Sequence, residues 1–214
     1  MAFRLHFRPS APRDSGRAFG GELRKHHVNW LHQRVCRSER WRRRVASELL
    51  PWTLRGVELG DDLLEIGPGP GVTTDLLRSL NRRLTVLEIE PAAALALRQR
   101  LSSTNVRVVH GDGAAMPFAD GSFTGVVAFT MLHHVSTMAA QDGLFSEAWR
   151  VLRPGGVFAG FDGVDSLLFR LIHLGDGYAP VDPNTLGGRL QAAGFTDLRI
   201  EQDHRRFRFR AKRP

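Results

Sequence analysis

The strongest indication of the fold is residues 63–71, with the sequence Leu63-Leu64-Glu65-Ile66-Gly67-Pro68-Gly69-Pro70-Gly71. Apolar residues predominate in its first half, as in a short buried strand, and three glycines then fall within five residues. Glycine lets a backbone turn sharply and leaves room for a ligand, so we predict a strand, a ligand-lining loop and a helix that begins at Val72. The loop is not the GxGxxG loop of dinucleotide-binding proteins, because Val72 occupies its sixth position, and it lacks the Gly-Lys-Ser/Thr of a P-loop.

Strands and helices continue to alternate after this loop, which indicates parallel strands joined by crossover helices. Two helical patterns and two short strands then close the chain, and the two strands are too close in sequence to be parallel. We therefore predict an α/β fold with a doubly wound, mostly parallel sheet. The predicted strands are 62–66, 84–87, 106–109, 124–129, 157–161, 198–202 and 207–211, and the predicted helices are 72 to about 80, 91–101, 141–152, 166–174 and 183–193.

Composition divides the chain into three parts. Residues 1–21 are rich in Pro, Gly, Ser and Arg without hydrophobic periodicity, which predicts a flexible basic tail. Residues 22–55 carry two helical patterns, at 22–35 and 38–50, the second with Ser38 as its N-cap and Pro51 as its end. Residues 56–214 form the α/β domain.

Length and cysteine content restrict the class of protein. A chain of 214 residues can bury one sizeable core, and its single cysteine, Cys36, excludes an internal disulfide. No apolar run approaches the ~20 residues that span a bilayer, and the first thirty residues lack the apolar stretch of a secretory signal. We therefore expect a cytoplasmic protein without a membrane partner. Nothing in the sequence predicts its oligomeric state.

The basic charge lies at the two ends of the chain. Residues 1–55 contain 13 Lys or Arg against 4 Asp or Glu, and residues 204–214 contain 6 basic residues and no acidic one. The intervening segment contains 11 basic and 18 acidic residues, so the total of +8 does not reflect a basic central domain. This distribution favours solvated ends or an entrance for a small anion over a nucleic-acid-binding surface.

The glycine loop and two later segments resemble the motifs of class I S-adenosylmethionine-dependent methyltransferases, in particular the type 11, ubiquinone-biosynthesis-like subgroup. The later segments are VLEIE at 86–90 and GDGAAMPF at 111–118, and the likeness extends through 123–135, 149–158 and 190–198. It covers about residues 55–212. The resemblance implies a seven-stranded sheet with its last strand antiparallel, S-adenosylmethionine as cofactor, and a lid formed by the helices in 22–55.

The resemblance also assigns residues to the cofactor. The loop would contact the methionine part, Glu88 the ribose hydroxyls and Asp112 the adenine amine, with Glu90 as the second candidate for the ribose. The full predicted cofactor-binding set is Glu65, Gly67, Pro68, Gly69, Gly71, Glu88, Ile89, Asp112, Gly113, Ala114 and Thr130.

Candidate catalytic residues follow the fourth and fifth strands, where the methyl group would lie. Methyl transfer depends mainly on orientation, and a base assists when the acceptor must lose a proton. His133 and His134 can titrate near neutral pH, and Asp162 faces the same mouth. We expect His133 to be the base, since Val135 would draw His134 inward. Residues His173, Asp176 and Tyr178 belong to a later segment that would cover the site. We expect no metal, because adjacent histidines rarely point together.

The acceptor is open between two classes. The loop and the 86–90 segment also resemble rRNA adenine dimethyltransferases, whose fourth strand is followed by an Asn-Leu/Ile-Pro-Tyr/Phe segment. This chain has Phe129-Thr130-Met131-Leu132 there, without those groups, so we expect a small-molecule acceptor and regard RNA as the less favoured alternative. A third interpretation is a non-catalytic protein that retains the cofactor site.

Overall fold

The computed structural model describes residues 34, 36–80, 83–173 and 177–214. Seven strands form one sheet in the order β3-β2-β1-β4-β5-β7-β6. They are β1 (Asp62–Ile66), β2 (Arg83–Glu88), β3 (Val106–His110), β4 (Phe123–Phe129), β5 (Leu152–Gly163), β6 (Thr196–Gln202) and β7 (Arg206–Lys212). The helices are α1 (Glu39–Arg44), α2 (Leu50–Thr53), α3 (Val72–Leu77), α4 (Pro91–Arg100), α5 (Met138–Val151), α6 (Leu167–Ile172) and α7 (Pro183–Ala192).

The predicted doubly wound sheet is confirmed. Strands β1 to β5 pair in parallel, and β7 inserts antiparallel between β5 and β6. The strand order reverses between β1 and β4, and in open α/β sheets the ligand crevice lies beside such a reversal, at the carboxyl ends of the strands. The glycine loop leaves β1 at this place.

Consecutive residues of the central strands pack into separate cores on the two faces of the sheet, because strand side chains alternate in direction. Leu64 and Val126 contribute to the core beneath α5 and α7, whereas Leu63 and Val127 contribute to the core beneath the N-terminal helices. Burial on both faces accounts for the nearly continuous apolar runs of β1 and β4.

The described N-terminal helices belong to this second core. Ser38 caps α1 as predicted, its hydroxyl accepting a hydrogen bond from the Trp41 amide at 3.2 Å. The prediction that Pro51 ends the helix is wrong: a π-helical turn over Val45–Leu49 connects α1 to α2, so Pro51 falls in a first turn, where its missing N–H is tolerated. The predicted tail and nearly all of the helix predicted at 22–35 lie outside the described residues.

Strand β5 begins earlier than predicted. Helix α5 ends at Val151 and the chain enters β5 at once, so residues 153–156 belong to the strand, which reaches regular pairing with β4 only after a register shift. Among the described residues, no helix combines the length and apolarity needed to cross a membrane.

Two glycine-to-alanine substitutions should have opposite effects on stability. A Cβ at Gly160, within β5, would overlap the Ala128 carbonyl oxygen and lie 2.8 Å from the Phe209 ring, whereas one at Gly188, in α7, would meet nothing within 4 Å. We expect Gly160→Ala to lower the free energy of unfolding by about 1–3 kcal/mol or more, and Gly188→Ala to raise it by about 0.5–1 kcal/mol. Urea unfolding midpoints measure both, and equal midpoints for the two variants would contradict this packing.

Candidate active site

The glycine loop bends sharply at the end of β1. Gly67, Gly69 and Gly71 have φ values of +62°, +52° and +81°, a region that side-chain-bearing residues rarely adopt. A Cβ at Gly67 would lie 3.0 Å from the Met131 side chain, whereas a Cβ at Gly69 would meet nothing within 4 Å. The loop thus packs closely on the segment after β4 and opens to free space at Gly69.

Glu65 supports this loop from below. Its side chain is buried, and its two carboxyl oxygens accept hydrogen bonds from the hydroxyls of Thr73 and Thr74 in α3, the latter at 2.6 Å. Burial raises the pKa of Glu65 to about 7, although the two threonine hydrogen bonds oppose this shift. These contacts make Glu65 a brace between β1 and α3, and its predicted contact with a cofactor stays a prediction.

Arg100 holds the loop from the opposite side, a role that the sequence did not reveal. Its guanidinium reaches from the end of α4 to Asp75 at 2.8 Å and to the carbonyl oxygen of Pro70 at 3.2 Å. A helix-terminal arginine resembles any solvated charge in a sequence, so only its position across the loop identifies it.

Glu88 ends β2 directly beside the glycine loop. Its carboxyl oxygens accept hydrogen bonds from the amides of Gly69 at 3.2 Å and Glu90 at 3.0 Å. Burial raises the pKa of Glu88, opposed by these backbone donors. Glu90 is exposed, and the apolar side chain of Ile89 is 39% exposed. Of the two acidic candidates, Glu88 is the one that the structure brings to the loop.

The segment after β3 supplies the third part of the site. Asp112 is exposed, and its Oδ1 accepts a hydrogen bond from the Ala114 amide at 2.8 Å. Gly113 packs tightly, because a Cβ there would lie 3.0 Å from Leu144 and 3.2 Å from Ile66. This contact explains the glycine within the motif and holds the segment against β1 and α5.

Thr130 follows β4 in a strained conformation. Its φ is +50°, unusual for a β-branched residue, and its amide donates to the Phe161 carbonyl oxygen at 2.9 Å. Such strain concentrates at functional sites, where the surrounding structure imposes it. It also turns the chain so that Met131 meets the glycine loop and the next two residues meet the end of β5.

His133 and Asp162 form a buried pair at the carboxyl ends of β4 and β5. His133 Nδ1 lies 2.6 Å from Asp162 Oδ1, and the carboxyl group also accepts from the His133 and Gly163 amides at 3.2 Å and 2.7 Å. His133 is 2% exposed, whereas His134 is partly exposed. The expectation that His134 turns inward is therefore wrong. The 3₁₀ turn over Leu132–His134 buries His133 instead.

The histidines lie closer together than the sequence suggested. The ring centroids of His133 and His134 are 4.1 Å apart, because they occupy a tight 3₁₀ turn, so the premise that adjacent histidines point apart fails here. The ring of His173, at the end of α6, has its centroid 4.6 Å from that of His133 and stacks on the Tyr178 ring with the centroids 5.2 Å apart. The third member of the predicted covering segment, Asp176, lies outside the described residues.

Comparisons with known proteins agree with this geometry. Residues 64–160 match the family model described as a methyltransferase domain. A probable S-adenosylmethionine-dependent methyltransferase of Mycolicibacterium smegmatis is 38% identical over 99 residues, covering 46% of this chain and 37% of the relative. A demethylmenaquinone methyltransferase of Tropheryma whipplei is 31% identical over 117 residues, covering 53% and 44%. An rRNA adenine N-6-methyltransferase of Corynebacterium diphtheriae is 32% identical over 89 residues, covering 41% and 34%.

The likeness in fold extends further than the likeness in sequence. A crystal structure of a Pyrococcus horikoshii protein superposes with a TM-score of 0.72 at 18% identity, covering 84% of this chain and 94% of that one. By contrast, the matched segments span less than half the length of the three curated relatives above.

Glu65 should make stability depend on pH. Its folded pKa of about 7 lies above the ordinary value of 4.5, so the stability contributed by the protonated form is fully present below about pH 4.5 and is lost as the pH rises through 7. In Glu65→Gln, the amide can accept from one threonine and donate to the other at every pH. As the pH rises from 4.5 to 8, we expect the free energy of unfolding of the variant to increase relative to that of the wild type by up to about 3 kcal/mol.

Chemical unfolding at a series of pH values measures this difference. Glu90→Gln removes one carboxylate from the exposed surface and serves as the control for charge alone. A difference between Glu65→Gln and wild type that stays constant from pH 4.5 to 8 would show that the Glu65 proton is not linked to folding.

Proposed function

We propose that this chain transfers a methyl group from S-adenosylmethionine to a small-molecule acceptor. The match of residues 64–160 to a methyltransferase-domain model and the likeness to a probable S-adenosylmethionine-dependent methyltransferase support this cofactor and the resemblance inferred from the motifs. The observation that carries the proposal is the meeting of the open glycine loop with Glu88 at the reversal of strand order.

The residues around the loop fit this cofactor. Gly69 borders space that a side chain would fill, and the adjacent Glu88 carboxyl group can accept the two ribose hydroxyl hydrogens. Ile89 offers an exposed apolar surface for the adenine ring, and Asp112 can accept from its amino group. The loop backbone at Gly67, Pro68 and Gly71 would surround the methionine part.

The bound cofactor supplies an electrophilic methyl group on a sulfonium. The chain's own residues would orient the acceptor beside this methyl group and, where the acceptor has to lose a proton, would receive that proton on an imidazole. Asp162 accepts from Nδ1 of His133, which orients the ring and leaves Nε2 as the nitrogen that can take a proton. Thr130 holds the preceding backbone against β5.

The segment after β4 favours a small acceptor over RNA, because it lacks the polar and aromatic groups that hold an adenine in the RNA enzymes that it partly resembles. A cleft of about 730 Å³ begins immediately after β5, and Asp165, Asp182 and Asp203 line it. Asp165 and Asp203 form ion pairs with Arg170 and Arg206, so the cleft presents both signs of charge.

Glu88 should dominate the ribose contact. We expect S-adenosylhomocysteine to bind with a micromolar Kd, and Glu88→Ala to lose about 1.5–3 kcal/mol of binding free energy, since a charged hydrogen-bond acceptor is removed. Glu90→Ala, two residues away and exposed, is the matched control and should lose less. Titration calorimetry measures all three proteins. Absence of binding heat with wild type at millimolar ligand would refute the proposed cofactor site.

His133 should control turnover without affecting the cofactor. We expect His133→Ala to lower the rate of methyl transfer about 10²–10⁴-fold and to leave S-adenosylhomocysteine affinity nearly unchanged, because the cofactor contacts lie on other loops. Radiolabelled methyl transfer into fractionated cell extract both finds the acceptor and supplies the assay. If the rates of methyl transfer by His133→Ala and His134→Ala both stay within threefold of the wild-type rate, neither histidine is the base. Recovery of the label in RNA would support the alternative acceptor.

A further inference from the structure

Three histidines from two separate segments meet at the carboxyl ends of β4 and β5. His133 and His134 come from the 3₁₀ turn after β4, and His173 comes from the end of α6. Their ring centroids form a triangle with sides of 4.1, 4.6 and 5.3 Å. One nitrogen from each ring can be chosen so that all three atoms lie within 4.8 Å of one another.

Hydrogen bonds orient two of the three rings in the same manner. His173 Nδ1 lies 2.7 Å from the Phe169 carbonyl oxygen, which can only accept, so Nδ1 carries the proton. His133 Nδ1 lies 2.6 Å from Asp162, whose carboxyl group also accepts from two backbone amides. In a neutral ring this arrangement puts the lone pair on Nε2. A carboxylate or carbonyl behind Nδ1 is the usual support of a metal-binding histidine.

Aromatic side chains enclose the cluster. The Phe169 ring lies 5.0 Å from His133 and 4.4 Å from His173, and Tyr178 stacks on His173. His133 and His173 are buried, and His134 is partly exposed. The partly exposed His134 leaves a side from which an ion could enter.

We propose that His133, His134 and His173 bind a divalent transition-metal cation of the zinc type, with Asp162 positioning His133. Neutral imidazoles suit zinc and its neighbours and do not suit magnesium or calcium, which prefer oxygen ligands. Zinc bonds of 2.0–2.1 Å in a tetrahedron place the ligand nitrogens about 3.4 Å apart, so the cluster has to contract by roughly an ångström on binding. Because His134 is partly exposed, rotation of its side chain can provide much of this movement.

Three protein ligands leave a tetrahedral zinc ion one further position, as in catalytic rather than structural zinc sites. This position would belong to water or to a heteroatom of the acceptor, since the cluster lies where the proposed reaction places the acceptor. Metal binding itself depends only on the four named side chains. It can therefore be tested apart from the proposed methyl transfer.

The test uses the untagged full-length chain, stripped with a chelator and then titrated with Zn²⁺. We expect about one zinc per chain to be retained through gel filtration, by elemental analysis, with an affinity in the micromolar range or tighter. Co²⁺ in its place should give the intense visible absorption of a four-coordinate ion. S-adenosylhomocysteine calorimetry on the same preparations reports the cofactor site independently, so failure of one proposal is distinguishable from failure of the other.

Variants then assign the ligands. His173→Ala and His134→Ala should each weaken zinc binding at least about 100-fold and abolish the Co²⁺ spectrum, and Asp162→Asn should weaken binding about 10–100-fold, as the loss of a supporting hydrogen bond does. His204→Ala, an exposed histidine in the β6–β7 turn, is the matched control and should bind as wild type does. Circular dichroism and cofactor affinity verify that each variant is folded.

Two results would overturn the proposal. The first is wild-type protein that binds S-adenosylhomocysteine but retains no zinc and shows no four-coordinate Co²⁺ spectrum. The second is zinc binding that persists unchanged in both His134→Ala and His173→Ala, which would place the ion elsewhere on the chain. In either case the three imidazoles would serve packing or proton transfer only.

Discussion

A buried carboxyl group beneath a glycine loop is the contact on which the rest of the site depends. Glu65 lies on β1 and bonds to the hydroxyls of Thr73 and Thr74 on α3, so it ties together the strand and the helix that the loop connects. Three positive φ angles in five residues would otherwise leave this backbone poorly determined. Because the brace is internal, the loop still borders open space on its other side, at Gly69.

The parallel sheet places the remaining residues of the site beside this loop. The carboxyl ends of parallel strands lie along one edge, so the ends of β1, β2, β4 and β5 are neighbours although they are far apart in sequence. Glu88 reaches the loop through the Gly69 amide, and Met131 packs on Gly67. Cofactor-side and acceptor-side residues are thus positioned by one rigid framework, which suits a reaction that depends mainly on orientation.

The side proposed to meet the acceptor contains a second arrangement, in which one carboxyl group and several histidines lie together. Asp162 orients His133, and α6 brings His173 to the same place. A proton acceptor and a metal ligand require the same preparation of an imidazole, namely a partner on Nδ1 and a lone pair on Nε2. One Nε2 lone pair cannot bind a metal ion and receive a proton at the same time, so His133 has one role or the other, and binding and turnover measurements on the same proteins separate them.

Local signals in the sequence sufficed to predict the sheet and the loop, because strand runs, glycine spacing and turn residues act over a few neighbours. The candidates Glu88 and Asp112 came from the resemblance to a known family. The same signals could not show that Glu65 braces the loop, that Pro51 is accommodated by a π-turn, that Arg100 spans to Pro70 or that His133 rather than His134 is buried. Nor could they predict the meeting of His133 and His134 with His173, about forty residues later. Those outcomes depend on which strand ends lie side by side and how the next turn twists, and only packing in three dimensions decides that.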